Sequence, residues 1–228
     1  MNYLPLLLVS LFVLGIVLGI NSIFLNYNLT IFESFVNEQN QRKNIVLLGD
    51  SILNNSVYTL PKSSVPSLIS QQLEKSPEKT LYNLAKDGAT INDCVNQLDA
   101  FPFELNNTET SVFISAGGND ILNGRRTETE KIDELFAKYM DFIESVKKRL
   151  NKTNIVLLKL YYPVKPSYKI YYPAVTQWNQ LLVDNSSTVG YRLLETDKLV
   201  VLEEDIVYDI EPSAKGGKKI ADAIVSFI

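Results

Sequence analysis

The sequence predicts an α/β protein: a three-layer, flavodoxin-like domain with a five-stranded parallel sheet, preceded by an N-terminal transmembrane helix. Three observations lead to this prediction. Short apolar runs alternate with amphipathic stretches along most of the chain, which is typical of parallel strands covered by helices. Polar segments that contain glycine follow several of these runs, and residues 3–25 contain no charged side chain. Apolar residues make up 46% of the 228, enough for one hydrophobic core.

The N-terminal segment has the length and composition of a membrane-spanning helix. A helix needs about 20 predominantly apolar residues to cross the hydrocarbon core of a bilayer. We favour a membrane anchor, and the alternative is a cleaved signal peptide, because residues 6–20 are similar to its apolar region. We therefore expect a transmembrane helix or signal anchor over residues 1–25, a juxtamembrane stalk over 26–43 and the main domain over 44–228. The expected location is a single-pass membrane protein with its domain outside the cytoplasm, or a secreted protein if the segment is cleaved.

The order of the elements follows from hydrophobic periodicity. The clearest helix covers residues 127–150, where apolar residues recur at helical intervals and Lys147, Lys148 and Arg149 occupy the last turn, as the helix dipole favours. Predicted strands cover residues 45–49, 81–85, 111–115, 154–160 and 191–195. The other predicted helices cover residues 65–75, 90–98, 174–186 and 215–228.

Composition excludes several classes of function. The net charge of −4 gives no electrostatic footprint for nucleic acid, so we expect no nucleic-acid partner. Cys94 is the one cysteine and the sequence contains no histidine, which leaves no zinc or iron–sulfur ligand set. We expect neither a metal nor a cofactor.

Candidate functional residues follow the predicted strands. In an open parallel sheet, ligands bind beyond the carboxyl ends of the strands, so side chains at those ends converge. A further polar segment, "IEPSAKGG", leads into the last helix. The candidates are Asp50 and Ser51 after the first strand, Gly88 after the second, Gly117, Asn119 and Asp120 after the third, and Asp209 and Glu211 before the last helix.

Together, "GDS", "GGND" and "PSAKGGKKIADAI" resemble the sequence blocks of the SGNH or GDSL-type hydrolases, over residues 45–228. This resemblance implies that Ser51 is a nucleophile that attacks an ester carbonyl. It also implies an oxyanion hole made by the backbone N–H groups of Ser51 and Gly88 and by the side-chain amide of Asn119. Such donors stabilise the negative charge that develops in acyl transfer. Supporting roles fall to Asp50, Gly117, Asp120 and Asp209.

The last block departs from the family pattern D-x-x-H-P. Aligned on Pro212, the chain has Glu211 in place of the histidine and Tyr208 in place of the aspartate. A carboxylate with the usual pKa of about 4.3 is a weak base for a serine hydroxyl at neutral pH. Burial, or a neighbouring carboxylate such as Asp50 or Asp209, would raise that pKa. We therefore expect a dyad of Ser51 and Glu211.

Two functions remain open. The first is an ester hydrolase, meaning an esterase, a deacylase or an enzyme of O-acyl transfer, that acts on a small-molecule or glycan ester. The second is a catalytically weak or inactive relative that binds an acylated or carbohydrate ligand. The aromatic segment 161–173 has two interpretations as well: its tyrosines line the substrate site, or they pack on each other as a lid.

Overall fold

The structure of the chain, a computed structural model, describes residues 43–102, 105, 108–125, 129–150 and 153–228. All of these belong to one compact unit, Arg42–Ile228. The predicted transmembrane helix, and the stalk up to residue 42, lie outside the described residues. Among the residues that are described, no helix is both long enough and apolar enough to cross a membrane. Lys43, assigned to the stalk from the sequence, is instead the first residue of a strand.

Five parallel strands form the central sheet in the order β2-β1-β3-β4-β5, which confirms the predicted flavodoxin-like topology. The first strand and its neighbour β3 are almost entirely buried, because parallel strands are covered by helices on both faces. The strands are β1 (Lys43–Gly49), β2 (Lys79–Asn83), β3 (Glu109–Ser115), β4 (Thr153–Leu158) and β5 (Arg192–Leu194).

Two groups of helices form the outer layers. The first helix packs against the last, and the second, fourth and fifth helices form the other group. The helices are α1 (Val65–Leu73), α2 (Ile91–Asp99), α3 (Gly118–Asn123), α4 (Thr129–Arg149), α5 (Tyr172–Val189), α6 (Thr196–Leu199) and α7 (Ala214–Ser226). Ser64, Thr90 and Ser213 cap the first turns of α1, α2 and α7 by accepting backbone N–H groups.

Several short elements were not predicted. They include helix α3, helix α6, three 3-10 helices, and a small antiparallel sheet of β6 (Ile206–Val207) and β7 (Glu211–Pro212). Elements this short carry too few residues to produce a periodic pattern. Two of them contribute to the candidate site, since α3 contains Asn119 and β7 contains Glu211.

Candidate active site

The turn after β1 places Ser51 at the carboxyl edge of the sheet. Gly49 has a φ of 135°, and a Cβ there would lie 1.9 Å from the carbonyl oxygen of Ser115, so only glycine fits between β1 and β3. Ser51 is buried, with 6% of its surface exposed. Its backbone N–H donates to no carbonyl of the described residues, and it is therefore available to a ligand.

Asp50 orders this turn from within the protein. Its Oδ1 accepts hydrogen bonds from the Ser115 hydroxyl at 2.8 Å and from the Ile52 backbone N–H at 3.1 Å. Burial raises the pKa of Asp50 from 3.8 to about 7; the two hydrogen bonds lower it, and the charges of Glu211 and Asp120 add smaller upward contributions. Near neutral pH this carboxyl is therefore about half protonated.

Glu211 is the carboxyl that meets Ser51. It lies on β7, is 8% exposed and lines the same cleft as Ser51. Burial raises its pKa, the nearby Ser51 side chain lowers it, and the charge of Asp87 raises it further. Its Oε2 atom is buried with no hydrogen-bond partner among the described residues. The structure brings Ser51 and Glu211, which lie at opposite ends of the domain sequence, to the same cleft.

Two neighbouring hydrogen bonds fix the segment that carries Glu211. The Tyr161 hydroxyl donates to the carbonyl oxygen of Ile210 at 2.5 Å, and the Asn55 amide donates to that of Pro212 at 3.1 Å. The Asn55 side chain also accepts the backbone N–H of Val65 at 2.7 Å, at the start of α1.

Glycines in α7 allow that helix to lie close to this segment. A Cβ at Gly216 would lie 2.1 Å from the Asp205 carbonyl oxygen, and a Cβ at Gly217 would lie 2.7 Å from the Asn55 amide nitrogen. Helix α7, which follows Glu211, therefore packs closely against Asp205 and Asn55.

Asn119 enters the same cleft from α3. Its amide donates one hydrogen bond to the carbonyl oxygen of Ala89 at 3.0 Å, which fixes the side chain and leaves its second N–H for a ligand. The same bond joins α3 to the turn of Gly88. Gly88 has a φ of 73° and open space around its Cα, but it does not line the cleft.

The other predicted residues are Gly117, Asp120 and Asp209, and each makes contacts within the fold. Gly117 begins α3 with a φ of 98°, and a Cβ there would lie 2.4 Å from the ring of Trp178. Asp120 accepts the backbone N–H of Ile91 at 3.0 Å, at the start of α2. Asp209 is exposed and forms an ion pair with Lys165 at 2.7 Å.

The sequence places Asp87 beside Gly88 at the end of the second strand, but it was assigned no role there; its charge acts on Glu211. Its Oδ1 accepts a hydrogen bond from the Asn54 amide at 3.2 Å, three residues beyond Ser51. The adjacent Gly88 was singled out, so the signal available was a carboxylate next to a predicted oxyanion donor. The missed support Asn55 carried a similar signal, as an asparagine pair directly after the serine turn.

A half-open cleft of about 60 Å³ joins these side chains. Asp50, Asn119 and Glu211 supply its carboxyl and amide groups, and Ser51 supplies a hydroxyl. The other lining residues are Ile52, Gly118, Ile121, Leu122, Leu160, Tyr161, Pro163, Tyr171, Val175 and Ile210. Both interpretations of the aromatic segment are therefore partly correct. Tyr161 and Tyr171 line the cleft, while Tyr162 packs edge-on against Tyr172 with ring centroids 5.0 Å apart.

A serine hydroxyl, a carboxylate and an amide donor around one cleft are the groups that acyl transfer requires. In the described part of the chain, no group of three or more cysteine, aspartate or glutamate side chains is arranged to hold a metal ion. Fold and site thus define an α/β protein with a serine-centred cleft at the carboxyl edge of its sheet.

Comparison with known proteins assigns the chain to one family. The sequence model of the GDSL-like lipase/acylhydrolase family matches residues 47–217, and the chain belongs to that family. The family and its fold support a hydrolase of the SGNH type. None of the curated proteins that were compared matches the chain.

Solved structures show the same fold at low sequence identity. A lipase from a goat rumen metagenome is 19% identical with a TM-score of 0.65, over 81% of this chain and 96% of that chain. A lipolytic G-D-S-L protein from Veillonella parvula is 13% identical with a TM-score of 0.64, over 81% and 97%. A psychrotrophic esterase from Pseudoalteromonas sp., inhibited by monoethylphosphonate, is 17% identical with a TM-score of 0.61, over 80% and 94%.

Proposed function

We propose that the protein is a serine ester hydrolase in which Ser51 is the nucleophile and Glu211 is its general base. The observation that supports this most directly is that the buried Glu211 carboxyl lines the same cleft as Ser51, near enough for the serine side chain to lower the pKa of that carboxyl. The substrate class is a small-molecule or glycan ester. If the acyl group carried by Ser51 were transferred to a second alcohol instead of water, the reaction would be O-acyl transfer.

The proposed reaction has two symmetrical halves. The Ser51 oxygen attacks the ester carbonyl while its proton passes to Glu211, and the tetrahedral intermediate collapses to an acyl-enzyme as the leaving alcohol takes that proton. Water then attacks the acyl-enzyme, Glu211 accepts its proton, and Ser51 regains a proton as the acid leaves. The Ser51 N–H and the second N–H of Asn119 would stabilise the oxyanion in each half; the predicted third donor, Gly88, does not line the cleft.

The environment of Glu211 makes a carboxylate a better base than its chemistry alone suggests. Proton transfer is most efficient when the pKa of the base lies near the working pH. Burial and the charge of Asp87 both raise the pKa of Glu211 towards that range. The unpartnered Oε2 atom adds to this, because no hydrogen bond among the described residues stabilises its negative charge.

A second candidate is a non-catalytic protein that binds an acylated or carbohydrate ligand in the same cleft. The absence of histidine from the sequence favours it. So does the presence of a second carboxyl near the first, because the charge of Glu211 disfavours ionisation of Asp50.

A fluorophosphonate probe separates the two candidates. We expect stoichiometric labelling of Ser51 in the wild type and none in Ser51→Ala, with Ser63→Ala as a control at a partly exposed serine that lies outside the cleft. An intact mass that stays unchanged after prolonged exposure at both pH 5 and pH 8 would reject the enzyme and leave the binding protein.

For location, we propose that residues 1–25 anchor the domain to a membrane as a single span, with the domain outside the cytoplasm. The support is the charge-free apolar composition of residues 3–25. Cell fractionation tests the proposal: the full chain should sediment with membranes and dissolve only in detergent, and deletion of residues 1–25 should release it. A mature protein that has lost the segment would support secretion instead.

A further inference from the structure

The cleft beside Ser51 is small as well as apolar. Its volume is about 60 Å³. Since a water-sized group occupies about 15 Å³ on this scale, the cleft holds about four such groups. Its charged and amide side chains are Asp50, Asn119 and Glu211, and Ile121, Leu160 and Val175 are among the apolar residues that form most of the remaining lining.

The walls of the cleft cannot retreat easily. Ile121, Leu160 and Val175 are 1%, 3% and 6% exposed, so each is packed into the core on its other side. Protein interiors are close-packed, and displacing such side chains costs stability. Tyr161 is 5% exposed and is held by its hydrogen bond to the Ile210 carbonyl oxygen.

The outer wall is fixed by further contacts. The Tyr172 hydroxyl donates to the carbonyl oxygen of Pro163 at 2.7 Å, and the rings of Tyr168 and Tyr171 lie 6.3 Å apart. These contacts therefore stabilise one conformation of the aromatic segment 161–173 beside the cleft.

We infer that this cleft is an acyl pocket that restricts the substrate to short acyl groups of two to about four carbons. The inference rests on the proposed function, because it requires the ester carbonyl to lie at Ser51. With the carbonyl oxygen towards Ser51 N–H and Asn119, the acyl chain enters the apolar end. The alcohol of the ester then lies on the open side, where the structure sets no comparable limit.

A series of p-nitrophenyl esters tests the length limit. From acetate to butanoate, we expect kcat/KM to rise by about fourfold per methylene, as each is transferred from water to an apolar wall. From butanoate to octanoate, we expect a fall of at least about tenfold, since a longer chain must displace core side chains. An octanoate value equal to or above the butanoate value would overturn the inference.

Gly118→Ala narrows the pocket without a clash. The added Cβ would lie 3.6 Å from Leu160 Cδ2 and 4.0 Å from Asp50 Oδ2, which are ordinary contacts, and Gly118 has no positive φ. We expect the ratio of butanoate to acetate kcat/KM to fall by about fivefold, consistent with the loss of one to two methylene positions. An unchanged ratio would contradict the assignment of this wall.

Val175→Ala should move the optimum in the opposite direction, towards hexanoate. Val183→Ala is the matched control, because Val183 lies on the same helix and is 43% exposed. It should leave every ratio unchanged. Ratios within one preparation do not depend on the fraction of folded enzyme, so a partly unfolded variant still gives an answer.

The possible failures are distinguishable. If the fluorophosphonate labels Ser51 but octanoate is the best substrate, the length limit fails and the proposed function stands. If no ester is hydrolysed and Ser51 stays unlabelled, the proposed function fails and this inference fails with it.

Discussion

The two halves of the candidate site are held in different ways. Ser51 follows an almost entirely buried central strand, and its turn is fixed by the hydrogen bonds that the Ser115 hydroxyl and the Ile52 N–H donate to Asp50. Glu211 instead lies on a two-residue strand, one residue beyond the pair Tyr208 and Asp209, which have φ values of 48° and 73°. The nucleophile therefore depends on the sheet core, whereas the base depends on a few contacts to a strained loop.

This difference teaches where substitutions should act. Changes around Ser51 should alter catalysis and stability together, because the same groups order the core edge. Changes around Glu211 should alter the position or the pKa of the base while most of the fold remains intact.

Among the changes that keep both Ser51 and Glu211, the largest effect is expected at the oxyanion donor. Asn119→Ala removes a fixed amide donor, so we expect kcat to fall about 100- to 1,000-fold with a much smaller change in KM. Steady-state kinetics with p-nitrophenyl acetate measures both. Asn185→Ala is the control, because its amide donates only to the Leu181 carbonyl oxygen within α5. A fall in Asn119→Ala below about threefold would remove Asn119 from the mechanism.

Asp50→Asn tests the sheet half of the comparison through stability. The folded-state pKa of Asp50 is about 7, above its ordinary 3.8, so the folded protein holds a proton that the unfolded chain releases between these values. This contribution to stability is complete below about pH 4 and is lost as the pH rises to about 7. The isosteric amide should be more stable than the wild type at pH 8 by about 4 kcal/mol, with no such gain at pH 4.

Urea unfolding at the two pH values measures that difference. An equal stability difference between wild type and Asp50→Asn at pH 4 and pH 8 would show that Asp50 does not retain the proton.

Tyr161→Phe tests the loop half. It removes the hydroxyl that holds the Ile210 carbonyl oxygen next to Glu211, while the ring that lines the cleft remains. We expect an unfolding free energy lower by about 1 kcal/mol and a kcat lower by about tenfold. A purely structural hydroxyl would lower stability and leave both kcat and the pH profile of the folded enzyme unchanged. Tyr162→Phe is the control, since its hydroxyl contacts Thr176 at an exposed position.

The smallest effect is a shift in pH dependence. Asp87→Asn removes a negative charge that raises the pKa of Glu211, so that pKa should fall. The base is active when deprotonated, and the rising limb of kcat/KM should therefore move to lower pH. Asp209→Asn should leave the limb in place, because Asp209 is exposed and paired with Lys165. A shift to higher pH in Asp87→Asn would contradict the assigned electrostatics.

The sequence predicted the sheet because its central strands are long buried runs, such as 45–49 and 111–115, and their ends mark the site. The edge strand β2 was placed two residues late, since its residues are only partly buried and its register with Lys43 is set by pairing. Ser51 and Glu211 were found through sequence motifs. Asp87 and Asn55 were not, because their roles arise only when segments far apart in sequence fold together.

The central claim is that Glu211 is the base for Ser51, and a pH–rate profile of p-nitrophenyl acetate hydrolysis tests it most directly. After subtraction of the Ser51→Ala background, the wild type should show a rising limb in kcat/KM. Glu211→Gln should lose that limb and about 100- to 10,000-fold in rate, while Glu204→Gln, at an exposed glutamate, should keep both. A Glu211→Gln enzyme that retains the wild-type limb and rate would contradict the account.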